Sequence, residues 1–331
     1  METMIWGFVF GTILQYARLN RYDTIAGQAV LRNFTVAKTI AFAVGLGVLL
    51  LQAEIALGYG DYHVKPLLLA GIAGGGVLFG MGMAILGYCP GTIAVSLGQG
   101  AVDALFGILG GLCGALAFAV FYPGVSPVLG PDLGTLSLRS AVPNPVLFWA
   151  GSAVVAALFM GGAWWLDRKH PDDRRWLHAA IAMAVLNAAL NQHSTAGHPM
   201  GASTAFPYAA MTLTGLGAQA YWHKIAEPGA WELHFLAGAF LAGLASAVVR
   251  GHFRLVAVPE LWRAYYGAQP GKRFVWAFIG GFLLLLGARA AGGCTSGHIV
   301  SGGMQLAASS LVFAAVVGVS FLATARLFYR R

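Results

Sequence analysis

The sequence predicts an all-α integral membrane protein with about nine transmembrane helices and about four short re-entrant helices, arranged as two inverted, pseudo-symmetric halves. Three observations carry this. Of the 331 residues, 58% are hydrophobic and only 10% charged, with a mean hydropathy of +0.71, whereas soluble domains run near 25% charged. Apolar runs that can cross about 30 Å of hydrocarbon, roughly 20 residues each, recur along the whole chain and leave no stretch for a sizeable soluble domain. Finally, the chain repeats itself at an offset of 205 residues, the separation of Cys89 and Cys294.

Taken in order, apolar length and flanking charge give full spans at 4–19, 35–57, 66–87, 101–122, 145–166, 176–191, 232–249, 274–291 and 308–328. Between them lie 24–32, 91–98, 201–215 and 298–306, which are too short to span and too apolar for solvated loops. Such segments are expected to be re-entrant, a state allowed only where broken backbone is buried in protein or lines a cavity. The cations of "DRKHPDDRR" at 167–175, of the 250–273 loop (Arg250, Arg254, Arg263, Lys272, Arg273) and of the terminal "LFYRR" share one side only if 201–215 is re-entrant. The positive-inside rule therefore selects that reading, with Arg18, Arg21, Arg32 and Lys38 also inside, the N-terminus periplasmic and the C-terminus cytoplasmic. No cleavable signal peptide is expected, because Arg18 and Arg21 follow the first apolar run. The net charge of +8 sits in short loops, as membrane topology requires, and gives no reason to invoke nucleic acid.

The repeat brings Gly75, Gly76, Gly82, Gly87, Cys89, Ser96 and Gly98 onto Gly280, Gly281, Gly287, Gly292, Cys294, Ser301 and Gly303. The halves are a first repeat, 1–123, and a second, 176–331, joined by a span at 144–166. One linking span makes the second half inverted, a transporter architecture whose site is expected where the helix breaks meet near the bilayer midplane.

At those breaks Cys89 precedes Pro90-Gly91-Thr92 and Cys294 precedes Thr295-Ser296-Gly297-His298. Each long helix is expected to stop at a thiol and restart as a short helix, whose free N–H groups and positive dipole end suit an anion. Thr92, Thr295, Ser296 and Ser301 offer hydroxyl donors. The other two breaks offer Arg18, Asn20 and Tyr22, and His193, His198, Ser203 and Thr204. A charge such as Arg289 costs at least about 2.5 kcal/mol inside the membrane, so it should pair with a transported anion, with Glu54 or Asp103, or with carbonyls at a helix end. A thiol is a polarizable surface suited to sulfur or to soft metals. Cys113, with no break or polar neighbour, reads as a core residue. The three cysteines form neither a disulfide framework nor a metal site, and no nucleotide, quinone, haem or flavin motif is present.

"LGYCPGT", "GARAAGGCTSGHIVSGG", "PMGASTAFPY", "EPGAWELHFLAG" and "RLNRYDTIAGQAVLRNFTVAKT" resemble the YeeE/YedE family of bacterial inner-membrane sulfur-compound transporters over nearly the whole chain. The resemblance implies thiosulfate uptake, not an enzyme, with Cys89 and Cys294 passing the anion along by S–H hydrogen bonds and without covalent chemistry. Thr92, Thr295, Ser296, Gly297, His298, Arg289 and Ser203 are the expected partners in substrate binding, with no cofactor or metal. Membrane lipid and a cytoplasmic sulfur-carrier protein are candidate partners. The family's thiosulfate transporters carry another cysteine shortly after an arginine at the first break, where this chain runs Arg18-Leu19-Asn20-Arg21-Tyr22. Alternatives are a membrane thiol or persulfide redox protein, or a permease for a selenium species or soft metal.

Overall fold

A computed structural model describes residues 2–216 and 221–330; Met1, residues 217–220 and Arg331 of the basic C-terminal end lie outside them. All named elements among the described residues are helical. The order is α1 (Glu2–Tyr16), α2 (Tyr22–Ala29), α3 (Thr35–Ala56), α4 (Leu69–Leu86), α5 (Pro90–Gly98), α6 (Val102–Val125), α7 (Leu138–Ala141), α8 (Pro145–Lys169), α9 (Arg175–Asn191), α10 (Ala205–Thr214), α11 (Trp222–Val249), α12 (Glu260–Tyr266), α13 (Pro270–Ala290), a π-helix (Thr295–Gly302) and α14 (Ala308–Phe328).

Among the described residues, seven segments have the length and apolarity to cross a membrane: α3, α4 with α5, α6, α8, α11, α13 and α14. The chain is therefore a multi-pass membrane protein. The expected spans at 4–19 and 176–191 fall on α1 and α9, of 15 and 17 residues, only about 22 and 26 Å long at roughly 1.5 Å per residue. Their short lengths have local causes. The chain after α1 turns at Arg18, which takes a left-handed backbone (φ 59°), and α9 ends where Gln192 becomes extended. The four short apolar segments are all helical, and the 250–273 stretch contains an extra helix, α12, anchored by fully buried Trp262.

Glycine sets the central packing. α4 lies against α13, and each of these also packs on the helix that follows the other's break, α4 on α14 and α13 on α6; at the flanks α1 packs on α11, and α3 on α9 and α8. A methyl carbon on Gly75 would lie 2.6 Å from the Gly287 carbonyl oxygen, and one on Gly82 would lie 2.6 Å from that of Gly280. As one number rises the other falls, so α4 and α13 cross antiparallel, backbone on backbone. Replacing Gly287 by alanine is expected to destabilise the protein by about 3 kcal/mol, the upper range for overpacking, because its new methyl meets the Gly75 carbonyl and the Phe79 N–H, both at 2.5 Å. Gly74→Ala, on the facing helix α4 with nothing within 4 Å, is expected to be neutral. Thermal unfolding of the two variants in detergent checks the pair.

Buried ion pairs tie helix ends together. Lys38 of α3, fully buried, donates to Asp167 at 2.8 Å. Arg273 is not a loop cation, as the sequence suggested: it lies inside α13, fully buried, 2.7 Å from an equally buried Asp103 of α6. It also donates to the Ile85 and Leu86 carbonyls at 3.1 and 2.6 Å and stacks on the rings of Tyr22 and Trp262. These orphan carbonyls end α4 just ahead of Cys89, and a guanidinium at a helix C-terminus satisfies them. Cys113 is a second correction: it is exposed on α6 rather than in the core, on a face left uncovered among the described residues.

Candidate functional site

The two thiols sit at equivalent helix breaks. Gly87 and Gly292, which precede them, both adopt left-handed backbone (φ 74° and 76°), a conformation glycine enters without a Cβ penalty. Each chain then restarts with the cysteine extended at the N-cap, Cys89 before α5 and Cys294 before the π-helix. Pro90 at the first position of α5 lacks an N–H that would otherwise go unsatisfied. The Cys89 N–H donates to the Thr92 hydroxyl at 2.9 Å, and that hydroxyl lies 3.2 Å from the Cys89 carbonyl and 3.4 Å from its Sγ. The Cys294 side chain caps nothing. π-Helical turns are rare and concentrate at functional sites.

The two starts face each other: a methyl on Gly91 would lie 3.4 Å from Ser296 Oγ. Beside them opens a cavity of about 290 Å³ whose lining includes the polar Cys89, Thr92, Thr295 and Ser296, with Gln28 and Thr39, among apolar groups such as Phe10, Met83, Met200 and Val300. The Thr295 hydroxyl is buried and has no partner among the described residues. The cavity thus combines a largely apolar lining, a few polar groups, an unpartnered donor and two helix N-termini, which suits a small, soft anion.

The remaining sequence-predicted residues lie outside the lining. Cys294 is 1% exposed. His298, fully buried, has Nε2 2.9 Å from the Ala291 carbonyl and Nδ1 3.1 Å from Ser310 Oγ, so a neutral ring with Nε2 donating fits both. It lies stacked against Phe313 and pins the π-helix between α13 and α14. Gly297 packs beneath the Lys65 ammonium. Arg289 donates to Ser203 Oγ at 2.6 Å and to Thr204 Oγ1 at 3.3 Å; the pairings with Glu54 and Asp103 are not made, since Glu54 receives Asn191 and Asp103 receives Arg273. The matched serines are equally engaged. Ser96 donates to the Asn20 carbonyl at 2.5 Å and Ser301 to the Met200 carbonyl at 2.9 Å, each tying its short helix to the other break of its own half. Asn20 donates to Gln99 at 2.6 Å, and Tyr22 hydrogen-bonds Tyr329 at 2.7 Å. All three cysteines are free thiols.

Two residues here escaped sequence reasoning. Glu232 of α11 accepts from the N–H groups of Thr204 and Ala205, so the start of α10 already holds a carboxylate. Lys65, in the loop between α3 and α4, donates to the Gly292 carbonyl at 2.6 Å, directly over the second break. Desolvation lowers its pKa, with Cys294 opposing that shift and Arg289 adding to it.

A family model described as sulphur transport matches residues 22–322, nearly the whole chain, including both breaks. The chain belongs to the sulphur transport family. It is accordingly a membrane transporter rather than an enzyme. Within the family, it is similar to the thiosulfate transporter TsuA of Spirochaeta thermophila, 26% identical over 93% of this chain and 94% of that protein.

Proposed function

We propose that this protein takes up thiosulfate, or a closely related sulfur anion, across the bacterial inner membrane, with the N-terminus periplasmic and the C-terminus cytoplasmic. The observation that carries this is the cavity where two helix starts meet beside Cys89, with Thr92 and Ser296 at its rim and the Thr295 hydroxyl unpartnered. A helix start attracts negative charge, a thiol presents a weak donor and a polarizable surface to sulfur, and these donors replace the water that a small dianion gives up on entering a largely apolar cavity. The Spirochaeta thermophila relative, a thiosulfate transporter, supports this choice of substrate.

In the same reading the protein consists of two inverted halves, with α2, α5, α10 and the π-helix as re-entrant segments and α8 as the link. The antiparallel α4–α13 crossing supports it. So does the exchange of packing partners, in which α4 on α14 mirrors α13 on α6, and α1 on α11 mirrors α9 on α3. Cys294 and then Cys89 act in sequence as hydrogen-bond donors to the anion, with no covalent step, and a cytoplasmic sulfur-carrier protein receives it.

The test is growth of a bacterium lacking its own thiosulfate uptake, supplied with thiosulfate as the only sulfur source and carrying this chain. Growth is expected; no growth with the protein present in the membrane overturns the substrate.

A further inference from the structure

The second break carries a cluster of positive charge that the cavity does not use. Arg289 is 7% exposed, has no carboxylate partner among the described residues, and its Nε is buried with no hydrogen-bond acceptor. A buried guanidinium left in that state costs free energy unless something else meets it. Glu232, which meets the same Thr204 residue, accepts through one carboxylate oxygen from the N–H groups at the start of α10. Lys65 arrives from a separate loop, and its ammonium, with three donors, makes one hydrogen bond among the described residues, to the Gly292 carbonyl. The ammonium lies over the backbone of the break: a methyl on Gly293 would run into Nζ, and one on Gly297 would lie 3.0 Å from it. Its backbone is held, since Ser309 Oγ donates to the Lys65 carbonyl at 2.9 Å. Lys65 is also within electrostatic reach of both Cys294 and Arg289.

We propose that Lys65 and Arg289 form an outer binding site for a divalent oxyanion at the second helix break, and that Lys65 makes the protein prefer doubly over singly charged anions. Two cations within electrostatic reach of each other at one helix break attract a dianion about twice as strongly as a monoanion. The Lys65 side chain exchanges its bond to the Gly292 carbonyl for the arriving anion and so uncovers Cys294, which is otherwise 1% exposed. Arg289 remains fixed by Ser203 and Thr204 and offers its free Nε. The site rests on the uptake reading above for its cargo but not for its charge preference.

The test is a binding titration of the full-length protein in detergent, followed by tryptophan fluorescence, with thiosulfate, sulfate and thiocyanate. Lys65→Gln is expected to weaken thiosulfate binding about tenfold or more and thiocyanate binding less than about threefold, with the thermal midpoint nearly unchanged, while Lys65→Arg keeps near wild-type affinity. Wild-type thiosulfate affinity in Lys65→Gln overturns the outer site and leaves the uptake reading standing. Equal weakening for both anion charges, or an equal loss in Lys65→Arg, also overturns it. Lys65-dependent binding of sulfate without any binding of thiosulfate supports the outer site and removes thiosulfate as cargo. Failure of the wild-type protein to bind any of the three overturns both.

Discussion

Cys89→Ala and Cys294→Ala are each expected to abolish growth on thiosulfate while the protein stays folded in the membrane. Neither thiol is a main support of the fold: Cys294 caps nothing, and the Cys89 sulfur takes only weak capping contacts from Thr92, whose hydroxyl lies 3.4 Å away, beside the firmer bond of the Cys89 N–H to that hydroxyl at 2.9 Å. Alanine therefore removes little packing, since a buried cysteine behaves as a small hydrophobe. What is lost is a hydrogen bond to a charged group, worth about 1.5–3 kcal/mol. In rate terms that is about ten- to a hundredfold in uptake at low substrate. Uptake of labelled thiosulfate, normalised to protein in the membrane, measures it. Uptake at the wild-type rate in Cys294→Ala, with the variant present at normal level, would remove the thiol from the pathway.

The second large effect is on stability. Arg273→Met leaves Asp103 buried at 0% exposure with its cation gone, and breaking a buried pair in this way costs about 3–5 kcal/mol. It also strips the Ile85 and Leu86 carbonyls of their donors at the end of α4, where the chain turns into Cys89. The expected result is a large drop in thermal midpoint in detergent and a poor yield. The double substitution Arg273→Met with Asp103→Leu should recover much of the loss, because no uncompensated charge remains. A double variant as unstable as the single one would show that the carbonyl bonds, not the ion pair, dominate.

The comparison between sequence and structure divides along a physical line. Apolar length and hydrophobic run are local properties, so the helical membrane class, the positions of the four short segments and the two thiol-bearing breaks were legible from residues alone. The glycine matches were legible too, but not their use. Only the structure brings Gly75 against Gly287 and Gly82 against Gly280, because a close approach is a property of two helices and not of either sequence. The lengths of α1 and α9 depended on where backbone turns at Arg18 and Gln192, which apolar runs do not encode.

Polar side chains were the hardest to sort. Ser203, Ser301 and His298 carry the right chemistry for an anion, yet each has its polar atoms engaged within the protein. Thr295, of the same kind and nearby, has a hydroxyl with no partner among the described residues. Lys65 gave only a weak signal, a lysine in a loop that the charge rule puts outside. The sequence by itself determined what kind of protein this is and where its helices break, since insertion and helix ending are decided by neighbouring residues. Tertiary structure decided which donors remain free, because a hydrogen bond is spent or spared only by the partner that the fold brings within 3 Å or so.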